Sequence, residues 1–531
     1  MRLKSIPFQE TNYFSDLICD YLDQKPELKP FFNQYPSIEN FKEQIAEKKK
    51  SFPNNNREVL QKVLLEQYNN YTVSERTKEN VNLLTNAHTF TVTTGHQLNL
   101  FTGPLYFLYK IISTINLAEK LQKEYVDYRF VPVYWMATED HDFDEINYFN
   151  FEGKKIQWNR KQGGPVGRFD TKGLEEVFNI LSKEFGKSDN AQKLIKLFES
   201  AYLKHDTLSQ ATLYIANELF SEYGLVIIDA DHAELKQLFA PYIKNELEKQ
   251  HAYRQASSQS DQLHELGYNK QVNPREINLF YMEDDLRERI VKRENRFFVN
   301  ETDISWGKEQ LLKLVENTPE KFSPNVIMRP LYQEVILPNL CYIGGGGELA
   351  YWFELKSYFE AENIPFPILL LRNSALILST KQSKKVNNLN IKIHELFLKQ
   401  FELINKKVRS ISDIDINMKP QKVFLRKQFA DLYDLAERTD VTFKNAVKAQ
   451  EVKQLKGLDV LEKRLLKAQK RKLKDHVTRM TDLQNQLFPQ QNLQERIINF
   501  SELYLEYGED LIKTLKNNLD PLSLEFTILG L

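Results

Sequence analysis

The stretch Phe90-Thr-Val-Thr-Thr-Gly-His-Gln-Leu-Asn-Leu-Phe-Thr-Gly-Pro104 decides the fold. Phe90, Val92 and Thr94 alternate with Thr91 and Thr93, and β-branched residues dominate, so its first half reads as a strand that Gly95 ends. After Pro104, Leu105, Leu108, Ile112, Ile115 and Leu117 recur at helical spacing, and Gly103-Pro104 suits a helix start. A strand, a turn carrying Gly and His, and a helix N-terminus together make an anion site, because free amides point outward and the helix dipole favours negative charge. An ordinary βα connection has the same shape, so the chemistry has to come from elsewhere in the chain.

Working outward, Tyr128-Arg-Phe-Val-Pro-Val-Tyr-Trp-Met-Ala137 is a continuous apolar run of the kind buried on both faces of a sheet. Gly224–His232 repeats that texture and leads into a helix over 233–250. Asn325–Pro330 reads as a short strand before a helix over 331–337, and Phe366–Arg372 is the last clear strand. Between them Gly344–Gly347 opens a helix reaching about Glu362. Strands separated by helices predict an α/β core with a parallel, doubly wound sheet. We place this core in residues 1–380, largely helical before residue 88, with insertions near 148–222 and 265–322. Residues 381–488 change texture: Leu458, Leu461, Leu465, Ala468, Val477, Met480, Leu483 and Leu487 keep to three- and four-residue spacing among charges, which predicts a long helical coiled-coil arm. Pro420 separates its first helix from the next, and 489–531 forms a helical segment returning to the core.

The 531 residues carry a net charge of −1, so no global attraction draws the chain to nucleic acid or to an anionic membrane. Cys19 and Cys341 stand far apart without metal spacing, which suits a reducing compartment. The N-terminus lacks the apolar block of a signal peptide, and no apolar run approaches the roughly 18–20 residues of a membrane span. The expectation is a soluble cytoplasmic protein with no nucleic-acid or membrane partner.

Open parallel sheets bind ligands beyond the carboxyl ends of their strands. Those ends offer Thr94, Gly95, His96 and Gln97; Glu139, Asp140, His141 and Asp142, with Asp144 close by; Asp229, Asp231 and His232; Arg329; and Arg372, Asn373 and Ser374. The glycine run, including Gly345 and Gly346, lets backbone amides approach a ligand or simply makes a tight turn; it is neither a P-loop nor a dinucleotide fingerprint. Asp140, His141 and Asp142 suit hydrogen bonding to an amine-bearing substrate and general-base work. On a strand His141 would face away from both aspartates, so a three-ligand metal site needs a turn there, and no metal is assigned. Arg329 and Arg372 suit carboxylate or phosphate clamping, or pairing with nearby acids. Lys381-Gln-Ser-Lys-Lys385 starts a charged helix and only superficially resembles the Lys-rich signature of class I adenylating enzymes. The basic stretch 463–474 reads as a solvated coiled-coil face, and Cys341, between Leu340 and Tyr342-Ile343, as a buried small residue.

Thr94-Gly-His-Gln97 with Phe101-Thr-Gly-Pro-Leu-Tyr106, Pro132-Val-Tyr-Trp135, Glu139-Asp-His-Asp-Phe-Asp-Glu145, Arg329-Pro-Leu331, Gly344-Gly-Gly-Gly-Glu-Leu-Ala-Tyr-Trp352 and Leu493-Gln-Glu-Arg496 together resemble the bacillithiol biosynthesis cysteine-adding enzymes, BshC. The matches run in the same order along most of the chain. His96 stands where the family pattern has Gln, and Gly346 where Pro is common. The resemblance implies a Rossmann-like core with connecting insertions and a coiled-coil arm that pairs two subunits. It also implies the reaction, joining cysteine to the amine of glucosamine-malate. On that reading Asp140, His141 and Asp142 are the catalytic candidates, holding the amine and removing its proton. Arg329 or Arg372 holds malate. The Thr94–Gln97 turn and the helix start after Gly103 hold a nucleotide phosphate or the activated carboxylate. Glu139, Gly345, Gly346, Glu348, Tyr351 and Asn373 complete the expected substrate-binding set. Amide formation from a free carboxylate needs activation, so ATP or ADP is the expected bound nucleotide, with Mg accompanying it only through its phosphates. A class I-like nucleotidyl transferase or aminoacyl-adenylate enzyme acting on RNA is the alternative, and a non-catalytic coiled-coil scaffold a third.

Overall fold

The computed structural model describes residues 2–531. The chain forms two compact units, the first built mainly from residues 13–376 and 494–529 and the second mainly from 377–493. At the centre of the first unit lie β1 (Thr89–His96), β2 (Arg129–Met136), β3 (Val226–Asp229), β4 (Asn339–Gly344) and β5 (Ile368–Leu371). They form one sheet in the order β5-β4-β1-β2-β3 with every pair parallel. The order reverses between β1 and β4, as in a Rossmann-like sheet. Phe90, Val92, Ile343 and Leu370 of the strands pack with Leu117 and Leu121 of helix α1 (Tyr106–Glu124) in the core.

All eight residues of β1 are buried, although four of them are threonines. Three of the four hydroxyls are satisfied from β4: Thr91 and Thr93 donate to Asn339 Oδ1 at 3.3 and 2.9 Å, and Thr94 to the Ile343 carbonyl at 2.7 Å, while the Thr89 hydroxyl is buried without a partner. A polar alternation is therefore no sign of an exposed face here. Gly95 does not end the strand. It pairs with Trp135, and His96 with Met136, so β1 runs two residues past the expected stop.

The expected strand at 325–330 is a turn, in which Asn325 Oδ1 accepts the amides of Ile327 and Met328. Helix α3 (Arg329–Ile336) follows it, after helix α2 (Ala233–Lys249) earlier in the chain, and the missing strand is β4, placed between α3 and the glycines. The helix after the glycine run is short, α4 (Gly346–Trp352), and a second begins at Lys356. The first insertion carries a hairpin, Tyr148–Phe151 with Lys154–Gln157, and then helices. The second carries a five-stranded antiparallel sheet whose members include Leu279–Glu283 and Leu286–Arg293. Residues 494–529 complete the first unit against α1, where Asn116 Nδ2 donates to the carbonyls of Lys516 and Leu519.

The second unit is helical. Helices α5 (Lys419–Ala436) and α6 (Val441–Lys472) pack along each other around Phe429, Ala436 and Val447, and α7 (Lys474–Leu487) follows a break at Leu473. Pro420 sits in the first turn of α5, where its missing N–H costs nothing. Lys381–Lys385 belongs to the helix Thr380–Asn388, which Ser379 and Gln382 cap reciprocally. Among the described residues no helix is long and apolar enough to cross a membrane.

Candidate active site

A cavity of about 750 Å³ opens at the carboxyl ends of β1, β2 and β4, beside the reversal in strand order where open α/β sheets bind ligands. Its wall takes Gly95 and His96 from β1 and Gln97 just after it, Glu139 to Asp142 from the loop after β2, Arg329 from α3, and Glu348 and Tyr351 from α4. The second insertion adds Arg275, Phe280, Arg287 and Arg289.

One side of the cavity is a buried charge network. Lys110 on α1 reaches Gly95 O and Glu348 Oε1, both at 2.6 Å, and the Tyr342 hydroxyl donates to Glu348 Oε2 at 2.9 Å. A Cβ at position 95 would lie 3.1 Å from that hydroxyl, which explains a glycine at the strand's end. Burial raises the Glu348 pKa, but the Lys110 charge and hydrogen bond outweigh it and hold the carboxyl below its ordinary value. Burial first, then Lys110, pushes His96 well below its usual range, so this ring stays neutral between Tyr106 and Phe107. Arg329 lies over Trp135 and Tyr342, at 5.6 and 5.7 Å from the ring centroids. Its Nη1 donates to Gln333 Oε1 at 3.1 Å, whereas Nη2 is buried without a partner. A guanidinium nitrogen left unpaired beside a cavity is set up to receive a carboxylate or phosphate oxygen.

The other side is the acidic turn. Glu139 Oε2 pairs at 2.8 Å with Lys236 of α2, a lysine fully buried, which also donates to Phe322 O. Asp140, His141 and Asp142 do form a turn and not a strand, with one ligand atom from each within 4.8 Å of the others. That spacing suits a cation, but His141 Nδ1 already faces Arg287 Nη1 at 2.5 Å, and a guanidinium there opposes a second positive charge.

Several expected residues lie outside the cavity wall. Thr94 is spent on Ile343, and the chain around Gly103 is buried, with Leu105 N donating to Ile498 O and Asn499 Nδ2 to the carbonyls of Phe101 and Gly103. The amides of Leu105, Phe107 and Leu108 are thus taken up by chain carbonyls, and Gly103 itself lies outside the cavity wall. Gly345 and Gly346 are likewise taken up locally: Glu348 caps the Gly345 amide, and a Cβ on Gly346 would touch Ile18 at 3.4 Å. Arg372 is buried in an ion pair with Glu495, and Asn373 bonds Ser113 and Asp520. Asp229 accepts from Thr138 and Ser209, and Asp231 takes Arg168 in a bidentate pair. Cys341 is buried, and burial pushes its thiol well above the ordinary value, the opposite of an activated nucleophile.

Lys110, Lys236, Arg275, Arg287 and Arg289 escaped sequence reasoning. Lys110 had a local signal, a lone charge in the apolar face of α1. The arginines of the second insertion had none, since only the tertiary fold brings that sheet to the cavity.

The family model described as "Bacillithiol biosynthesis BshC, N-terminal Rossmann-like domain" matches residues 1–373, and "Bacillithiol biosynthesis BshC, C-terminal coiled-coil domain" matches residues 375–531. A protein of Christiangramia forsetii is 60% identical over 533 residues, covering 100% of this chain and 99% of its own length. One of Flavobacterium johnsoniae is 60% identical with 99% of each chain covered, and one of Staphylococcus saprophyticus is 28% identical with 93% and 94% covered. All three bear the name "Putative cysteine ligase BshC".

Proposed function

The chain belongs to the BshC family of bacillithiol biosynthesis, and from that membership we propose that it is the ligase joining the cysteine carboxyl to the amine of glucosamine-malate. One observation carries the reading: a single cavity offers both an acidic turn for an amine and, for a carboxylate, an arginine whose Nη2 has no partner. Arg329 receives a malate carboxylate, with Arg275 and Arg289 close at hand on the same wall. The amine lies against the turn Asp140–Asp142. The cysteine carboxylate is activated by ATP, because attack of an amine on a free carboxylate in water is unfavourable, and Mg accompanies the nucleotide. With Gly103 outside the cavity wall, the nucleotide's place is the cavity's arginine wall and the Gly95–Gln97 turn.

The test is direct. Purified protein supplied with cysteine, glucosamine-malate and MgATP is expected to release bacillithiol, read by thiol labelling and mass spectrometry, and to release none when nucleotide is omitted. Product formed without any nucleotide would overturn the activation step. Arg329→Ala is expected to raise the KM for glucosamine-malate about 10- to 100-fold, the loss of one charge-assisted contact, while leaving kcat within a few-fold.

The coiled-coil arm, in the same proposal, pairs two copies of the chain. Both cysteines are free thiols, in keeping with a reaction carried out in the reducing cytoplasm.

A further inference from the structure

The three side chains of the acidic turn have different partners. Asp140 Oδ1 accepts the amides of His141 at 2.7 Å and Asp142 at 3.4 Å, and its Oδ2 accepts Gln97 Nε2 at 3.0 Å. Its carboxylate is spent on shaping the turn. Asp142 is the most exposed of the three, at 57% of its side chain, and no hydrogen bond reaches its carboxylate among the described residues. Its Oδ1 lies 3.9 Å from His141 Nε2.

Arg287 stands behind the imidazole and is fixed on every side. Its Nε donates to Ser323 Oγ at 3.2 Å, its Nη2 to Pro324 O at 3.4 Å, and its guanidinium lies 4.0 Å from the Phe280 ring centroid. Its Nη1 is 2.5 Å from His141 Nδ1. A guanidinium has donors only and keeps its charge. In a neutral ring, its partner nitrogen is then the acceptor, even with Asp140 Oδ1 3.7 Å from the same Nδ1, and the ring proton lies on Nε2.

We infer that Arg287 is a positioning residue that fixes His141 as an Nε2–H donor, so that Asp142, and not His141, takes the proton of the attacking amine. A nitrogen that already carries its proton cannot accept another, and the only ring lone pair is occupied. His141 instead donates toward negative charge developing on the reacting carbonyl oxygen. Resting on the ligase reading, the step balances as follows. The amine nitrogen forms a bond to the carbonyl carbon of the nucleotide-activated cysteine. The bond from that carbon to the phosphate oxygen breaks, its electron pair leaving with the phosphate. The proton of the now cationic nitrogen passes to the Asp142 carboxylate and from there to solvent. Nitrogen made cationic by attack is far more acidic than an ordinary ammonium, so a carboxylate suffices.

The experiment has two arms. In the full-length protein labelled with ring-15N histidine, His141→Gln identifies the His141 signals. Nδ1 is expected to show the unprotonated and Nε2 the protonated resonance, a pattern that Arg287→Met abolishes. A protonated Nδ1 in the unaltered protein would overturn the inference. In kinetics, Asp142→Asn is expected to lose about 100-fold or more in kcat with little change in KM for the amine substrate. Asp142→Ala is expected to regain activity with added formate, and His141→Gln, which keeps a donor, to stay within about tenfold of the unaltered enzyme. The reverse ranking, with His141→Gln inactive and Asp142→Asn near normal, would make His141 the base. An unaltered protein that forms no amide sinks the ligase reading and the Asp142 role with it, while the NMR arm still decides the bond between Arg287 and His141.

Discussion

Arg372 Nη1 lies 2.8 Å from Glu495 Oε1, and the two side chains are only 4% and 0% exposed. Ser374 Oγ and the Ala375 amide donate to the same carboxylate, so the group is well satisfied only while the arginine is present. Removing one partner of a buried pair leaves the other charged and dry. Arg372→Met is therefore expected to cost about 3–5 kcal/mol, read as a lowered urea midpoint, and Arg329→Ala much less. A substitution at 372 that spared stability but weakened substrate binding would reinstate the carboxylate-clamp role expected of it from sequence. Asp229 makes the opposite kind of demand. Burial first, and then Asp231, raise its carboxyl from 3.8 to about 6. The native state thus binds this proton more tightly than the unfolded chain does. The resulting stabilisation is full below pH 3.8 and is lost as pH rises through about 6. Asp229→Asn keeps an acceptor for Thr138 and removes the ionisation. Its stability relative to the unaltered protein is expected to improve by about 1 kcal/mol on going from pH 5 to pH 8, measured by urea unfolding at both. A difference independent of pH would show that Asp229 does not titrate in that window.

At the level of elements, the first insertion straps the acidic turn. Val166 N donates to Asp140 O at 2.7 Å and Gly167 N to Thr138 O at 2.8 Å. The approach needs a glycine, because a Cβ at 167 would stand 2.6 Å from Thr138 Cβ and 2.8 Å from its carbonyl oxygen. Gly167→Ala must push the strap or the turn aside. It is expected to cost about 1–3 kcal/mol and, if the turn carries the proton-transfer groups as proposed, to lower kcat. Gly347→Ala, where nothing lies within 4 Å, is the matched control and is expected to be neutral in both assays. Equal behaviour of the two variants would remove the strap's role. The same elements show what a sequence can disclose. The strands β1, β2 and β5 stood out as apolar or β-branched runs, and the turn Glu139–Asp142 as a dense polar cluster at a strand's end. Strand β4 did not, because its six residues begin with Asn339, whose side chain serves the β1 threonines, and end in a glycine run that suggests a loop. Arg329, singled out from sequence, lines the cavity, but it opens a helix and ends no strand. Arg287 carried no local mark at all. Its importance comes from Ser323, Pro324 and Phe280, which the antiparallel sheet brings around it.

For the whole molecule, the coiled-coil unit leaves large apolar side chains exposed. Helices α5 and α6 bury Phe429 and Val447 against each other, yet Phe424 remains 65% and Leu461 51% exposed. Both border a groove of about 720 Å³ whose wall also includes Pro420, Leu425, Gly457 and Leu458. Gly457 leaves that stretch of α6 without a side chain, so a partner helix could approach its backbone closely. Contiguous apolar surface of this kind is normally covered, and the hydrophobic gain from covering it, roughly 25 cal/mol per Å², grows quickly over an interface of about 800 Å² a side. A second copy of the chain is the occupant proposed above, and charge is the cleanest way to refuse it. Phe424→Glu combined with Leu461→Glu is expected to lower the mass measured by light scattering from twice the 62.6 kDa chain mass to one chain mass, with helical content unchanged. Activity per chain is expected to persist, because neither residue lines the cavity at the strand ends. An unaltered protein that already runs as one chain, or a charged variant that stays paired, would move the dimer contact off this groove.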